Sequence, residues 1–385
     1  MSPPSSGGGN SQNSKNSLLR SAGSAVPALY VVIPGDLETR TGGYGYDRRI
    51  IAGLRDRGWP VEVRGLDGSF PTPTPAAREQ AAQVLAAIPG GSLVLVDGLA
   101  LGALPAEVER EAGRLTIVAL LHHPLAAETG IDPALAAALE TSERRALAAS
   151  RSVVVTSRAM AATFAAYGVS PDRMTVVEPG TDPAPLARGS TGVDEPPVLS
   201  PQPLDVSLLC VATLTPRKGY DLLMSALAAI PHRNWRLTCA GSLDRDTPTV
   251  TRVRAQLRDS GLEERVSLAG DLDAGALAAQ YDRADLFVLP TRYEGYGMAV
   301  AEALARGLPV VSTATGAIDD LVGDAGIVVP AGDLAAFTDA LSRVIGDPQL
   351  RAQLAAGARR VRERLPTWDA AAAAMARVLE REAGK

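Results

Sequence analysis

Cysteine, phenylalanine and lysine are nearly absent from this chain of 385 residues, which holds 2 Cys and 4 Phe and places lysine only at positions 15, 218 and 385. Two cysteines cannot build a disulfide framework. Cys210 and Cys239 lie in the apolar runs "SLLCVATL" and "WRLTCAGS" and read as buried free thiols, which points to a reducing, cytoplasmic compartment. Long hydrophobic runs are missing too. No apolar stretch reaches the roughly 20 residues that cross a bilayer, so membrane contact is confined to a peripheral one at the inner face. Charge of one sign is not in excess: the net charge is −5. From Val26 to Arg188 there are 15 Arg and no Lys against 18 Asp and Glu, which excludes a domain-wide basic field for nucleic acid. The opening 25 residues, rich in Ser, Gly and Asn, have neither the apolar centre of a signal peptide nor the Arg-rich stripe of a transit peptide, and are expected to be a disordered tail.

What the chain does contain is alternation. Short Val/Ile/Leu runs such as "ALYVVIPG", "SLVLVDG" and "RLTIVALLHH" alternate with alanine-rich helical patterns, the signature of βα units whose strands are covered on both faces. The pattern breaks over residues 183–204, which hold six prolines and no periodic apolar face, and then resumes. The length and this break predict two α/β domains, each a doubly wound Rossmann-like parallel sheet, spanning 26–182 and 205–365. Residues 183–204 form the linker, and a final helix over 366–385 closes the chain. Such sheets bind ligands beyond the carboxyl ends of their strands, so the polar residues there are the candidates for chemistry.

Four segments stand out. In "RYEGYGMAVAEALARGLPVV" (292–311), two glutamates eight positions apart flank a Gly-Tyr-Gly turn between a buried strand and a helix beginning near Gly297 or Met298. The free amides of that first turn favour an anion, and Gly295 and Gly297 let a phosphate or sugar approach. Glu294 can accept from sugar hydroxyls, and Glu302 can take a ribose diol. The layout fits a nucleotide joined through phosphate to a sugar, although paired glutamates also occur on solvated helices. Lys218, the one internal lysine, lies with Arg217 in "TLTPRKGYDLL" between a strand and a helix, where a point charge and a guanidinium fork suit a diphosphate; alone, it would read as a loop cation. His122 and His123 end a strand, where one imidazole could bond a sugar hydroxyl or rest on backbone partners. "TGGYGYD" puts Gly42 and Gly43 just before a helix without completing a dinucleotide fingerprint, and a glycine loop over a diphosphate fits better.

Together, "RYEGYGMAVAEALARGLPVVST", "TLTPRKGYDLLMSAL", "TGGYGYD", "TVVEPGTD" and "TGAIDDLVGDAGIVVPAGD" resemble the family-4 retaining glycosyltransferases of the GT-B fold, from Ala28 to Ala383. The resemblance implies two Rossmann-like domains facing a cleft, a C-terminal helix over 366–385 that crosses back to pack on the first domain, and metal-independent transfer of a hexosyl group from a nucleotide diphosphate sugar. UDP is the expected nucleotide on its frequency in the family; the acceptor hydroxyl belongs to a lipid, a glycan or a small metabolite. No cofactor is implied. By position, Glu302 would bind the ribose, and Glu294 with the amides of Gly295, Tyr296, Gly297 and Met298 would hold the donor sugar. Arg217 and Lys218 would neutralise the diphosphate, and His122 would face the sugar from the other domain. Gly42 and Gly43 would approach the phosphate, Gly241 the nucleotide, and the backbone at Gly270 and Asp271 the base. One departure is Ala212-Thr213 where the family usually has glycine followed by arginine. "DLD" (271–273) and "DRD" (244–246) imitate a metal motif in the wrong setting. Arg48, Arg49, Arg55 and Arg57 crowd the first helix, as a peripheral membrane patch or a solvated face would. The rival readings are a nucleotide-sugar epimerase or phosphorylase on the same scaffold, and a non-catalytic nucleotide-sugar-binding protein.

Overall fold

In the computed structural model, residues 27–128, 130–190, 205–232 and 234–384 are described. The expected tail over 1–25 and residues 191–204 of the expected linker lie outside them. Two parallel six-stranded sheets organise the chain. The first contains β1 (Leu29–Pro34), β2 (Val61–Leu66), β3 (Leu93–Asp97), β4 (Thr116–Leu121), β5 (Ser152–Val155) and β6 (Met174–Val176), in the spatial order β2-β1-β3-β4-β5-β6. The second contains β7 (Val206–Val211), β8 (Trp235–Ala240), β9 (Val266–Gly270), β10 (Leu286–Leu289), β11 (Val310–Ala314) and β12 (Gly326–Pro330), in the order β12-β11-β10-β7-β8-β9. Both are doubly wound. The chain reverses direction across the sheet between β1 and β3 in the first and between β7 and β10 in the second, and at such a switch point the following loops part to leave a crevice.

Central strands are apolar throughout because helices cover both faces: all five residues of β3 and all four of β10 are buried, save that β3 ends on a carboxylate, Asp97. Each fully buried Leu or Ile contributes about 1.5–3 kcal/mol. One continuous apolar core surrounds the second sheet, while the first has a separate cluster on each face. One of those clusters joins helix Gly42–Asp56 to helix Trp368–Ala383 at the chain's far end, where a Cβ on Gly53 would stand 2.5 Å from that of Ala372. The backbone turns into that last helix against the first domain, with Thr181 N donating to Pro366 O at 2.8 Å.

Gly42 and Gly43 correct the sequence expectation: they do not precede the helix but open it, with Thr41 as N-cap accepting from the Tyr44 amide at 3.4 Å. A hydroxyl at Thr41 supplies the missing acceptor for the first turn, and small residues behind it leave the turn open to the cleft. Cys210 and Cys239 are buried free thiols on neighbouring strands. No helix among the described residues is long and apolar enough to cross a membrane.

Candidate functional site

The switch point of the second sheet brings two loops together. After β7 the chain makes a short 3-10 turn, Pro216–Lys218, closed by Gly219 at φ +69. A side chain at Gly219 would strike Pro290 O at 2.0 Å, so the loop after β10 lies directly on it. Lys218 Nζ and Glu294 Oε2 therefore meet at 2.6 Å although they are 76 residues apart. Arg217 donates to Tyr293 O at 3.0 Å and stands 4.0 Å from the same carboxylate oxygen. Burial alone would raise the Glu294 carboxyl; Lys218, then Arg217, outweigh it and hold the group below the usual carboxylate range. Burial lowers Lys218, with Glu294 opposing and Arg217 adding to the fall. Both cations stand next to an uncapped helix start. Helix Met298–Ala305 begins after Gly297 at φ +101, with no side chain bonding its first amides. Tyr296 is buried, so only its main chain can meet a ligand.

Across the cleft stands the end of β4. A Cβ on Gly295 would overlap His122 O at 2.1 Å, and one on Gly43 would lie 3.3 Å from the His122 ring. Ser157 donates to Gly295 O at 2.8 Å. The two halves thus touch where the sequence is glycine. His122 Nε2 lies 3.1 Å from Asp47 Oδ1 and 3.7 Å from Asp97 Oδ2, and the ring packs edge-on against Tyr46 at 5.3 Å. His123 turns away, 3.7 Å from Glu128, and burial lowers it despite that carboxylate. Glu128 also reaches over the cleft to Arg217 at 3.4 Å.

Glu302 lies one turn beyond Met298, whose sulfur comes within 3.9 Å of a Cβ built on Gly42, and positions four apart share a helix face. Its Oε2 accepts from Tyr281 Oη at 3.0 Å; burial raises the carboxyl, with the Tyr281 bond and Arg306 pulling partly back. Gly241, at φ +145, packs against Ala212 O and donates to Gly270 O at 2.9 Å, so these glycines form one backbone patch, with Asp271 exposed beside it. From the first domain, Arg40 donates to Leu272 O at 2.9 Å. Asp273 and Asp246 cap helices, accepting from Ala276 and Thr249 amides. This accounts for both metal-like triplets.

The structure thus brings Lys218, Arg217, Glu294, Gly295 and His122 to one cleft, with Gly42, Gly43 and Met298 lining its contact and Glu302 on the same helix face. Gly241, Gly270 and Asp271 sit at the neighbouring strand ends. Each arginine of the first-helix cluster is engaged within the fold: Arg48 with Leu37 O and Thr39 O, Arg49 with Asp182, Arg55 with Val61 O, and Arg57 with Asp369. Sequence reasoning passed over Asp47, Asp97, Glu128 and Glu143. Asp97 had a signal, a carboxylate ending the strand "SLVLVDG"; the others have none outside the tertiary structure.

Glu143 is fully buried beneath the loop after His123, accepting from the Leu125 amide at 3.1 Å while its other oxygen has no partner among the described residues. Burial raises its carboxyl to about 8 from 4.5. Between those values the folded chain binds a proton the unfolded chain has lost, so the stability this group contributes is intact below 4.5 and drains away as pH rises to about 8. Glu143→Gln, an uncharged isostere, is expected to be near neutral at pH 5 and stabilising by about 1–3 kcal/mol at pH 8.5. Urea midpoints at both pH values test this.

Two family models match parts of the chain: glycosyl transferases group 1 matches residues 205–347 and glycosyltransferase family 4 matches residues 95–185. The chain thus carries a glycosyltransferase family 4 domain and a glycosyl transferases group 1 domain. Among curated proteins, it is 34% identical over 244 residues to the D-inositol 3-phosphate glycosyltransferase of Xylanimonas cellulosilytica, covering 60% of this chain and 57% of that one. It is 30% identical over 199 residues to that of Corynebacterium glutamicum, covering 49% and 47%. The chain thus spans about half the length of the curated relatives it matches. Among solved structures, sucrose-phosphate synthase from Thermosynechococcus elongatus aligns with a TM-score of 0.75 at 20% identity, covering 92% of this chain and 98% of that one. Anabaena HepE, solved with UDP and glucose, aligns with a TM-score of 0.70 at 17% identity, covering 92% and 99%. These likenesses establish the GT-B fold of the family.

Proposed function

We propose that this protein is a retaining glycosyltransferase that moves a hexosyl group from a UDP-sugar to an acceptor hydroxyl without a metal ion. The observation that carries this reading is the Lys218–Glu294 contact over the second switch point, with Arg217 beside it and His122 opposite. The barrier to glycosyl transfer lies in separating a sugar cation from a diphosphate anion, and fixed positive charge on the departing group lowers it. Arg217 and Lys218 supply that charge from the protein, the service a divalent ion gives elsewhere. Glu294 and the amides from Gly295 to Met298 hold the sugar hydroxyls, Glu302 takes the ribose diol, and Gly241, Gly270 and Asp271 border the base. Gly42 and Gly43 let the first helix close on the phosphates. As the anomeric C–O bond to phosphate breaks, the acceptor oxygen bonds to carbon on the same face and its proton passes to the departing phosphate oxygen. On this reading the protein works in the cytoplasm, where Arg49 and Arg57 of the basic first helix pair with Asp182 and Asp369.

A panel of nucleotide sugars, read first by thermal stabilisation and then by transfer to an acceptor, tests the reading. D-inositol 3-phosphate, for which the curated relatives are named, is the first acceptor to try. Stabilisation by UDP-sugars above other donors is expected, with an axial product linkage from an axial donor and unchanged rates in chelator. An inverted linkage would remove the retaining mechanism, and epimer formation without acceptor would replace transfer.

A further inference from the structure

Two carboxylates converge on one ring nitrogen beneath the cleft. His122 Nε2 stands 3.1 Å from Asp47 and 3.7 Å from Asp97, and a single N–H can serve only one of them. Asp47 and Asp97 are 2% and 3% exposed, and Asp47 Oδ2 has no hydrogen-bond partner among the described residues. Asp97 Oδ1 already accepts from the Leu99 amide at 2.8 Å. The small cavity beside them is walled by Val31, Ile33, Ile50, Ile51, Leu95 and Leu120. The nearest oxygens of the two carboxylates and the ring nitrogen all lie within 4.8 Å of one another, and among hydrocarbon walls such crowding of like charge favours a proton on one carboxyl, with the imidazole as the cation beside them. The same walls leave a divalent ion without the further oxygen ligands it needs.

We propose that Asp47 and Asp97 act together as the positioning pair of His122: Asp47 accepts from Nε2–H, Asp97 carries a proton beside it, and Nδ1 is turned to the cleft. Burial, reinforced by Asp47, raises Asp97 to about 7, in keeping with that division. Burial works against charge on the imidazole, yet Asp47 and then Asp97 hold it above the ordinary histidine range. The other titratable groups around the cluster are few. Tyr44 and Tyr46 come from the same helix as Asp47, and burial raises both, so they stay neutral in the working range. Arg245 from the second domain and Asp36 after β1 act on Tyr44, and His123 follows His122. Tyr46 fixes the ring from its edge while its own hydroxyl is tied to Val177 O at 3.0 Å. Ionisation of Asp97 would pull Nε2–H between two acceptors and swing the ring off the cleft. Turnover should therefore decline as pH rises through about 7.

Its consequence for turnover rests on the glycosyltransferase reading; its protonation does not, so the test has two arms. Nitrogen-15 imidazole spectra are simple here, with three histidines in the chain. Wild type is expected to keep Nε2 protonated from pH 5 to 9, with a second inflection near 7 that Asp97→Asn removes, and Asp47→Asn should lower the His122 midpoint by at least tenfold in acid constant. In transfer assays Asp47→Asn should cost about 10- to 100-fold in kcat with little change in donor KM, and Asp97→Asn should abolish the alkaline decline. An inflection that survives in Asp97→Asn overturns the assignment of the proton to Asp97. Stoichiometric uptake of Zn2+ or Mn2+ that either variant loses replaces it with a metal. If wild type turns over no donor, the spectra decide alone, and if Asp47→Asn does not fold, the wild-type and Asp97→Asn spectra still do.

Discussion

Lys218→Ala is expected to lower kcat by about 100- to 1,000-fold, the loss seen when one preorganised charge or donor is taken from a developing anion. The physical reason is placement. The ammonium is held 2.6 Å from Glu294 and largely shielded from water, so its field on a diphosphate is weakly screened. Folding should suffer less than turnover. Glu294 keeps Arg217 at 4.0 Å and the Thr291 hydroxyl at 3.5 Å, so its carboxylate is not stranded. The expected pattern is a large fall in kcat with a smaller change in donor KM and a melting temperature within a few degrees of wild type, since surviving partners limit the destabilisation to about 1–2 kcal/mol. Lys218→Arg should recover only part of the activity, because a planar guanidinium cannot replace a compact charge in that space. Turnover within about threefold of wild type in Lys218→Ala would remove the lysine from the mechanism.

The second large effect is structural. Gly316 follows β11 at φ +56, and a Cβ there would lie 1.8 Å from Glu294 O and 2.9 Å from Gly295 O. Gly316→Ala should therefore destabilise the second domain by about 3–5 kcal/mol, combining left-handed strain with forced displacement of a packed backbone. Because the displaced segment carries Glu294 and the start of helix Met298–Ala305, affinity for a nucleotide sugar should fall in parallel. Gly261→Ala is the control: its φ is +64, but nothing lies within 4 Å of its added carbon, so only the strain of about 1–2 kcal/mol applies. Denaturation midpoints and donor-induced thermal shifts of the two variants separate crowding at the site from backbone preference. Equal losses would show that the loop after β11 does not support Glu294.

The fold class was legible because it is written in local periodicity. Strands covered on both faces must be continuously apolar, and helices between them must carry a stripe. Glu294, the internal lysine and the strand-ending histidine could be picked out for a related reason: each follows a strand's carboxyl end, where parallel sheets leave main-chain groups unpaired.

By its own residues, the sequence determined two doubly wound sheets, a glycine-lined turn, and an internal lysine beside an arginine. Which side chains would meet was decided only by folding. Lys218 reaches Glu294 over 76 positions, His122 reaches Asp47 over 75, and the ring is shared with Asp97 from a third segment. Strand order sets these meetings, and strand order follows from packing two apolar faces at once, a condition no local window contains. The protonation of the buried carboxylates belongs to the same level, since it depends on how much water the assembled walls exclude.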